Sequence, residues 1–254
     1  MIEVKNLVKT YGENTAVKGI SFKADDRAVY GLLGPNGAGK TTTLNIMAGI
    51  LCPTDGDVII NGTSILDDPK GAAKSIGYLP EVPPLYPDMT PREYLRFAAA
   101  LKKVPAGEAA GEVGRVMSLL ELDEVENRLM RSLSKGFRQR CGIAQALIGD
   151  PEILILDEPV SGLDPRQIIG IRELIRELGR THTVLLSSHM LSEASEVCDR
   201  ILIMSEGRLV ADDTYEGLLV RSGRTSLESV FLELTESGRQ HAKDEQDANQ
   251  VQDE

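Results

Sequence analysis

The chain of 254 residues has no tryptophan, four phenylalanines, six tyrosines and three cysteines. Cys52, Cys141 and Cys198 are far apart and odd in number, with no C-x-x-C pair, so neither a disulfide framework nor a zinc site is suggested and all three read as reduced thiols. Long apolar runs are also missing. The longest, Phe97 to Leu101, has five residues, against the ~20 that a membrane-spanning helix needs, so the chain is not expected to cross a bilayer by itself. Its first residues, Met1 to Asn6, alternate like a strand and lack the apolar centre of a signal peptide, and a cytoplasmic location is expected. Basic residues are the scarcer charge: 28 Lys and Arg stand against 39 Asp and Glu, a formal net charge of -11. Residues 236–254 hold six acidic and two basic residues, so the body retains an excess of negative charge once this tail is set aside. A phosphate backbone draws its binding energy from clustered Lys and Arg, so nucleic acid is not an expected partner.

What is present is ordinary in bulk, with 41% hydrophobic residues and a length that suits one large domain or two small ones. One stretch is not ordinary. Gly34-Pro35-Asn36-Gly37-Ala38-Gly39-Lys40-Thr41-Thr42 fits G-x-x-x-x-G-K-[ST], the phosphate-binding loop pattern. The apolar segment Ala28 to Leu33 precedes it as a candidate buried strand, and Leu44, Met47 and Ala48 follow at helical spacing, so the loop falls between strand and helix as the motif requires. Gly34, Gly37 and Gly39 let the backbone turn its N–H groups onto phosphate oxygens, while Lys40 is the expected partner of the β- and γ-phosphates and Thr41 a Mg²⁺ ligand. The competing reading is a glycine-rich turn that binds nothing.

Before the loop and just after it, short alternating segments (Ile2 to Val4, Ile20 to Lys23, Asp57 to Asn61) are separated by turn signals and predict a small antiparallel sheet. Tyr11 reads either as a half-buried strand-end residue or as an adenine-stacking one. After Pro80-Glu81-Val82-Pro83-Pro84 the period becomes helical, opening on the capping box Thr90-Pro91-Arg92-Glu93, and a helical insert is expected over about Thr90 to Leu147. Ile153-Leu154-Ile155-Leu156 predicts a strand buried on both faces, with Asp157 and Glu158 at its carboxyl end, where open α/β sheets bind ligands. That position invites a metal-directed acid and a second acid for catalysis. Asp164-Pro165 caps another helix, a strand over Thr183 to Ser188 delivers His189, and Ile201 to Met204 with Arg208 to Ala211 reads as a hairpin. The last amphipathic segment (Leu227, Val230, Phe231, Leu234) precedes a polar tail, 236–254, expected to be disordered.

Leu133-Ser134-Lys135-Gly136-Phe137-Arg138-Gln139-Arg140 completes a set of motifs in a fixed order. Taken together, the sequence resembles the ATP-binding subunit of an ABC transporter over about residues 1–235, most closely the ATPases paired with type-2 ABC exporter permeases. The resemblance implies a P-loop NTPase core, a parallel sheet flanked by helices, with an N-terminal antiparallel β subdomain and an inserted α-helical subdomain. It also implies that Tyr11 stacks on adenine, that Gly34 to Thr42 is the Walker A loop, and that Asp157 and Glu158 end Walker B. Ser161 to Asp164 would be the D-loop and His189 the switch histidine. The implied substrate is ATP with Mg²⁺. The implied partners are a second copy, whose Ser134 and Gly136 would close over the ATP held by Lys40, and a separate integral-membrane permease. The chain would then lie peripherally on the inner face of the cell membrane. A soluble ABC ATPase outside transport and an importer ATPase are the alternatives. Two motifs depart from the family: Lys135 and Phe137 replace a glycine and the glutamine of the usual Leu-Ser-Gly-Gly-Gln signature, and Glu81 stands where the Q-loop glutamine is expected. Glu81 is therefore a candidate Mg²⁺ ligand that cannot donate an N–H.

Overall fold

The computed structural model describes residues 1–236 and Gly238; the tail expected to be disordered lies, but for these first residues, outside them. Strands β1 (Ile2–Tyr11) and β2 (Asn14–Ala24) form an antiparallel hairpin that turns at Gly12, and β3 (Val29–Leu33) then leads through the phosphate loop into helix α1 (Lys40–Met47). Next come β4 (Asp55–Ile60), β5 (Thr63–Ser64), α2 (Pro69–Lys74) and β6 (Ile76–Leu79). Helices α3 (Pro91–Leu101), α4 (Ala106–Leu119) and α5 (Lys135–Leu147) follow, and β7 (Ile153–Asp157), α6 (Pro165–Gly179) and β8 (Thr183–Ser188) return the chain to the sheet. The order closes with α7 (Leu191–Val197), β9 (Arg200–Ser205), β10 (Arg208–Asp213), α8 (Tyr215–Ser222) and helical residues 227–236.

Two sheets result. The first is antiparallel in the order β2-β1-β4-β5. The expected segments of three to five residues are the centres of longer strands, because hairpin pairing carries β1 and β2 out to the Tyr11–Asn14 pair. The second sheet runs β10-β9-β3-β8-β7-β6, with all neighbours parallel except β9 and β10, which form the expected hairpin. Its interior strands are apolar on both faces because both are covered. In β7, Leu154 and Leu156 pack toward Leu147, Leu174 and Val184, whereas Ile153 and Ile155 pack toward Leu44, Met47 and the first sheet's Val58 and Ile60. Alternation of side chains along a strand thus divides one apolar run between two cores. A third core joins Leu33, Ile201 and Ile203 to Leu218, Leu227 and Val230 of the C-terminal helices.

The helical stretch begins where the capping box predicts. The Thr90 hydroxyl accepts from the Glu93 amide at 3.3 Å, and the Glu93 carboxylate accepts from the Thr90 amide at 2.9 Å. Tyr94 is 4% exposed and donates its hydroxyl to the Pro84 carbonyl. Its helical spacing with Leu95 and Ala98 already directed it inward. Tyr86 stays 49% exposed, with Phe97 packed edge-on against it at 5.6 Å.

Helix α5 serves both the helical stretch and the sheet. A Cβ placed on Gly77 of β6 would lie 2.2 Å from the Ala146 carbonyl oxygen, and one on Gly142 would lie 2.6 Å from Leu79. At Gly77 the contact is with backbone, so it cannot be relieved by changing a rotamer. Gly77→Ala is expected to destabilise the fold by about 1–3 kcal/mol, the typical cost of overpacking, seen as a lower urea midpoint with the m-value unchanged.

Candidate functional site

The phosphate loop emerges from β3 with Gly37 at φ 82° and Gly39 at φ 99°, a region L-residues avoid. Gly39 has a second reason to be glycine, since a Cβ there would lie 2.5 Å from the Ala16 carbonyl oxygen. Gly34 likewise sits against the Met204 carbonyl oxygen. The loop lines a cleft of about 580 Å³ together with Tyr11, Asn14, Glu81, Glu158, Ser161 and His189. Residues 36 to 42, Asn36 through Thr42, all face it; Gly34 and Pro35 instead offer their carbonyls to the Lys40 ammonium, at 2.8 and 3.3 Å. Burial lowers the pKa of Lys40, and the nearby carboxylates of Glu158, Asp157 and Glu81 oppose that shift.

Strand β7 delivers its two acids to different tasks. Asp157 is buried; its Oδ1 accepts from the Ser187 hydroxyl at 2.5 Å and from Thr41 at 3.4 Å, while Oδ2 has no hydrogen-bond partner. An orphaned buried carboxylate oxygen beside a threonine hydroxyl is a donor set that suits a hard cation, and Mg²⁺ commonly takes only one or two protein oxygens and completes its shell with phosphate and water. Among the described residues no three His, Cys, Asp or Glu side chains gather as a metal site. Glu158 sits one residue on at φ 50°, a left-handed conformation uncommon for a non-glycine residue. The Ser187 hydroxyl accepts its amide at 2.9 Å, and the His189 ring nitrogen Nδ1 lies 2.8 Å from its Oε2. With Nδ1–H donating to the carboxylate, Nε2 is left as the ring's second polar atom.

Sequence reasoning did not find Ser187, which holds both acids from β8. Its one signal is a pair of serines ending an otherwise apolar buried strand. Asn14 and Ala16, on the β1–β2 hairpin, also reach the cleft and carry no sequence signal at all. Tyr11 is 49% exposed at the cleft, with the Lys9 ammonium 5.3 Å from its ring. Glu81, just beyond β6, lines the cleft from the opposite end of the sheet order and is exposed.

Ser134 and Gly136 are not brought to this cleft. They open α5 in a second cleft of about 530 Å³, which they share with Phe137, Arg140 and Gln167 and which has no residue in common with the first. The Ser134 hydroxyl accepts from the Phe137 amide at 3.3 Å, capping the helix. The Lys135 ammonium reaches across to Gly162, at which an added Cβ would lie 2.1 Å from Nζ.

A phosphate loop at the head of a parallel sheet, with a buried aspartate and a histidine-paired glutamate beside it, is the site of a P-loop nucleotide hydrolase. A family model described as ABC transporter matches residues 17–161. Among curated relatives, the ABC transporter ATP-binding protein YxlF of Bacillus subtilis is 40% identical over 209 residues, which span 82% of this chain and 69% of the relative. The Nod factor export ATP-binding protein I of Burkholderia orbicola is 35% identical over 219 residues, 86% of this chain and 72% of that one. A solved dimeric ATP-binding cassette in a post-hydrolysis state, bound to ADP and Pi, aligns with a TM-score of 0.77 at 28% identity, covering 84% of this chain and 98% of its own. The chain belongs to the ABC transporter family, as its ATP-binding and ATP-hydrolysing subunit. Among the described residues no helix is long and apolar enough to cross a membrane.

Proposed function

We propose that residues 1–235 form one ABC-type ATP-binding domain, with residues 90–147 as its helical insert, and that two copies close head to tail over two MgATP molecules to drive a separate membrane permease in export. The observation that carries this reading is the division of the site. Lys40, Thr41, Asp157, Glu158 and His189 converge on one cleft, while Ser134 and Gly136 occupy another. A second copy is what would bring a capped helix N-terminus, with its positive dipole end, onto the exposed face of the γ-phosphate. The solved cassette noted above is dimeric. Export is favoured because the Nod factor relative is an export ATP-binding protein, and because Glu81, Lys135 and Phe137 depart from the usual motifs in the way of type-2 exporter ATPases. The chain would be held at the inner face of the cell membrane through that permease.

Within the cleft, Lys40 binds the β- and γ-phosphates and Tyr11 stacks on the adenine. Thr41, Asp157 and Glu81 are the residues that would hold Mg²⁺, which supplies charge neutralisation on the phosphates when bound. Glu158 accepts a proton from the attacking water, and His189 fixes the Glu158 carboxylate and faces the γ-phosphate. The left-handed backbone of Glu158 is held by Ser187, so its carboxylate is positioned before nucleotide arrives.

Glu158→Gln is expected to retain ATP binding and to lose about 10²- to 10⁴-fold in turnover, the usual worth of a positioned base. This variant should accumulate as an ATP-bound dimer in light scattering, and Lys40→Ala should remain monomeric with ATP; near wild-type ATPase in Glu158→Gln would remove it from the chemistry. Glu81→Gln should raise the Mg²⁺ concentration needed for half-maximal ATPase, and superimposable titrations would take Glu81 out of the metal shell. Exposed Tyr86 and its neighbour Phe97 mark the surface where the permease would dock. Tyr86→Asp is expected to weaken co-purification with the permease while leaving ATP affinity within a factor of about two, since the ring lies outside the nucleotide cleft. Equal loss of both would indicate misfolding.

A further inference from the structure

Glu193, in the first turn of α7, is only 4% exposed and lies outside the nucleotide cleft. Its Oε2 accepts from the Ser188 hydroxyl at 2.8 Å, while Oε1 is closed off from solvent and has no hydrogen-bond partner among the described residues. Burying a carboxyl costs far more than burying an apolar side chain of similar size, so one kept there with an oxygen unused calls for a task beyond packing. Burial raises its pKa; the Ser188 hydrogen bond and the Arg172 guanidinium of α6 oppose that shift, Glu158 adds to it and His189 opposes it. Glu193 is thus within electrostatic reach of both Glu158 and His189, although it lines no part of their cleft.

The contacts of Glu193 bracket His189. On one side, the buried Ser188 hydroxyl donates to the Glu193 carboxyl and accepts from the Met190 amide at 3.0 Å. On the other, the Glu193 amide donates to the Met190 carbonyl at 3.1 Å. Both chain neighbours of His189 are therefore tied to one residue, whereas the His189 side chain is half-exposed and meets Glu158 Oε2 through Nδ1 at 2.8 Å. We propose that Glu193 is a positioning residue for ATP hydrolysis: through the Ser188 hydroxyl and the Met190 backbone it fixes the stretch 188–190 so that the His189 ring stays against the Glu158 carboxylate. The inference rests on the assignment of Glu158 and His189 to hydrolysis. A half-exposed ring between strand and helix keeps one place only if its backbone is held, and a displacement of about 1 Å can cost a catalytic group ~10²-fold in rate.

The experiment measures steady-state ATPase of the full chain at saturating Mg²⁺ for Ser188→Ala, Glu193→Ala and Glu193→Gln, each also combined with His189→Ala. Ser188→Ala and Glu193→Ala are each expected to lower kcat about tenfold, as a partly misplaced group would, with KM for ATP changed less than about threefold. Combining them should cost no more than either alone, because both break one link. Glu193→Gln keeps a carbonyl that can accept from Ser188 and is expected to recover kcat to within about threefold of the parent. Once His189 is replaced by alanine, the same substitutions should change kcat less than about twofold, since the group they position is gone. Urea midpoints distinguish this from a cap that only stabilises α7: lower midpoints with kcat unchanged would overturn the proposal, as would a tenfold loss that persists without His189. If Glu193→Ala fails to fold, Ser188→Ala and Glu193→Gln still carry the comparison. A His189→Ala variant that turns over as fast as the parent would instead overturn the role given to His189, and this proposal with it.

Discussion

A charged cluster is held at the carboxyl edge of the parallel sheet, and the rest of the molecule is arranged so that it can exist there. Lys40, Asp157 and Glu158 are all largely withdrawn from water, where an isolated charge would cost several kcal/mol. They are tolerable because each compensates another. The carboxylates oppose the burial-driven fall in the Lys40 pKa, loop carbonyls accept hydrogen bonds from its ammonium, and the Ser187 hydroxyl donates to Asp157 and accepts from the Glu158 amide. The remaining deficit is at Asp157 Oδ2, which has no hydrogen-bond partner. ATP binds beside this oxygen, against a charge cluster that folding leaves incomplete.

Holding this edge in position requires support from parts of the chain distant in sequence. The Gly207 amide donates to the Ala38 carbonyl, and the Lys18 amide donates to the Gly207 carbonyl, so the β9–β10 turn links the phosphate loop to the antiparallel sheet. Behind that turn, the buried Ser205 hydroxyl donates to the Thr235 carbonyl at 3.3 Å, and Leu227 and Val230 pack into the third core. The C-terminal helices therefore brace the loop through β9. On the other side of the sheet α5 bears on β6 at Gly77 and Gly142, which joins the face carrying Ser134 to the strand that leads to Glu81.

Local covalent geometry and periodicity determined much of this protein from its sequence. Gly37 and Gly39 are legible because their positive φ strongly favours glycine, and the reciprocal bonds of Thr90 and Glu93 are legible because they span four residues. The apolar run at 153–156 is equally plain, since a strand buried on both faces has no polar side to show. Tertiary structure decided what depends on partners far along the chain. Ser187 becomes the support of Asp157 only because β8 lies beside β7. Ser134 falls outside the cleft of its own copy because α5 carries it to another face, a distance that no spacing along the sequence encodes. Sequence pattern records which backbone a residue can adopt and which side of an element is apolar; the packing of those elements alone sets which charges meet.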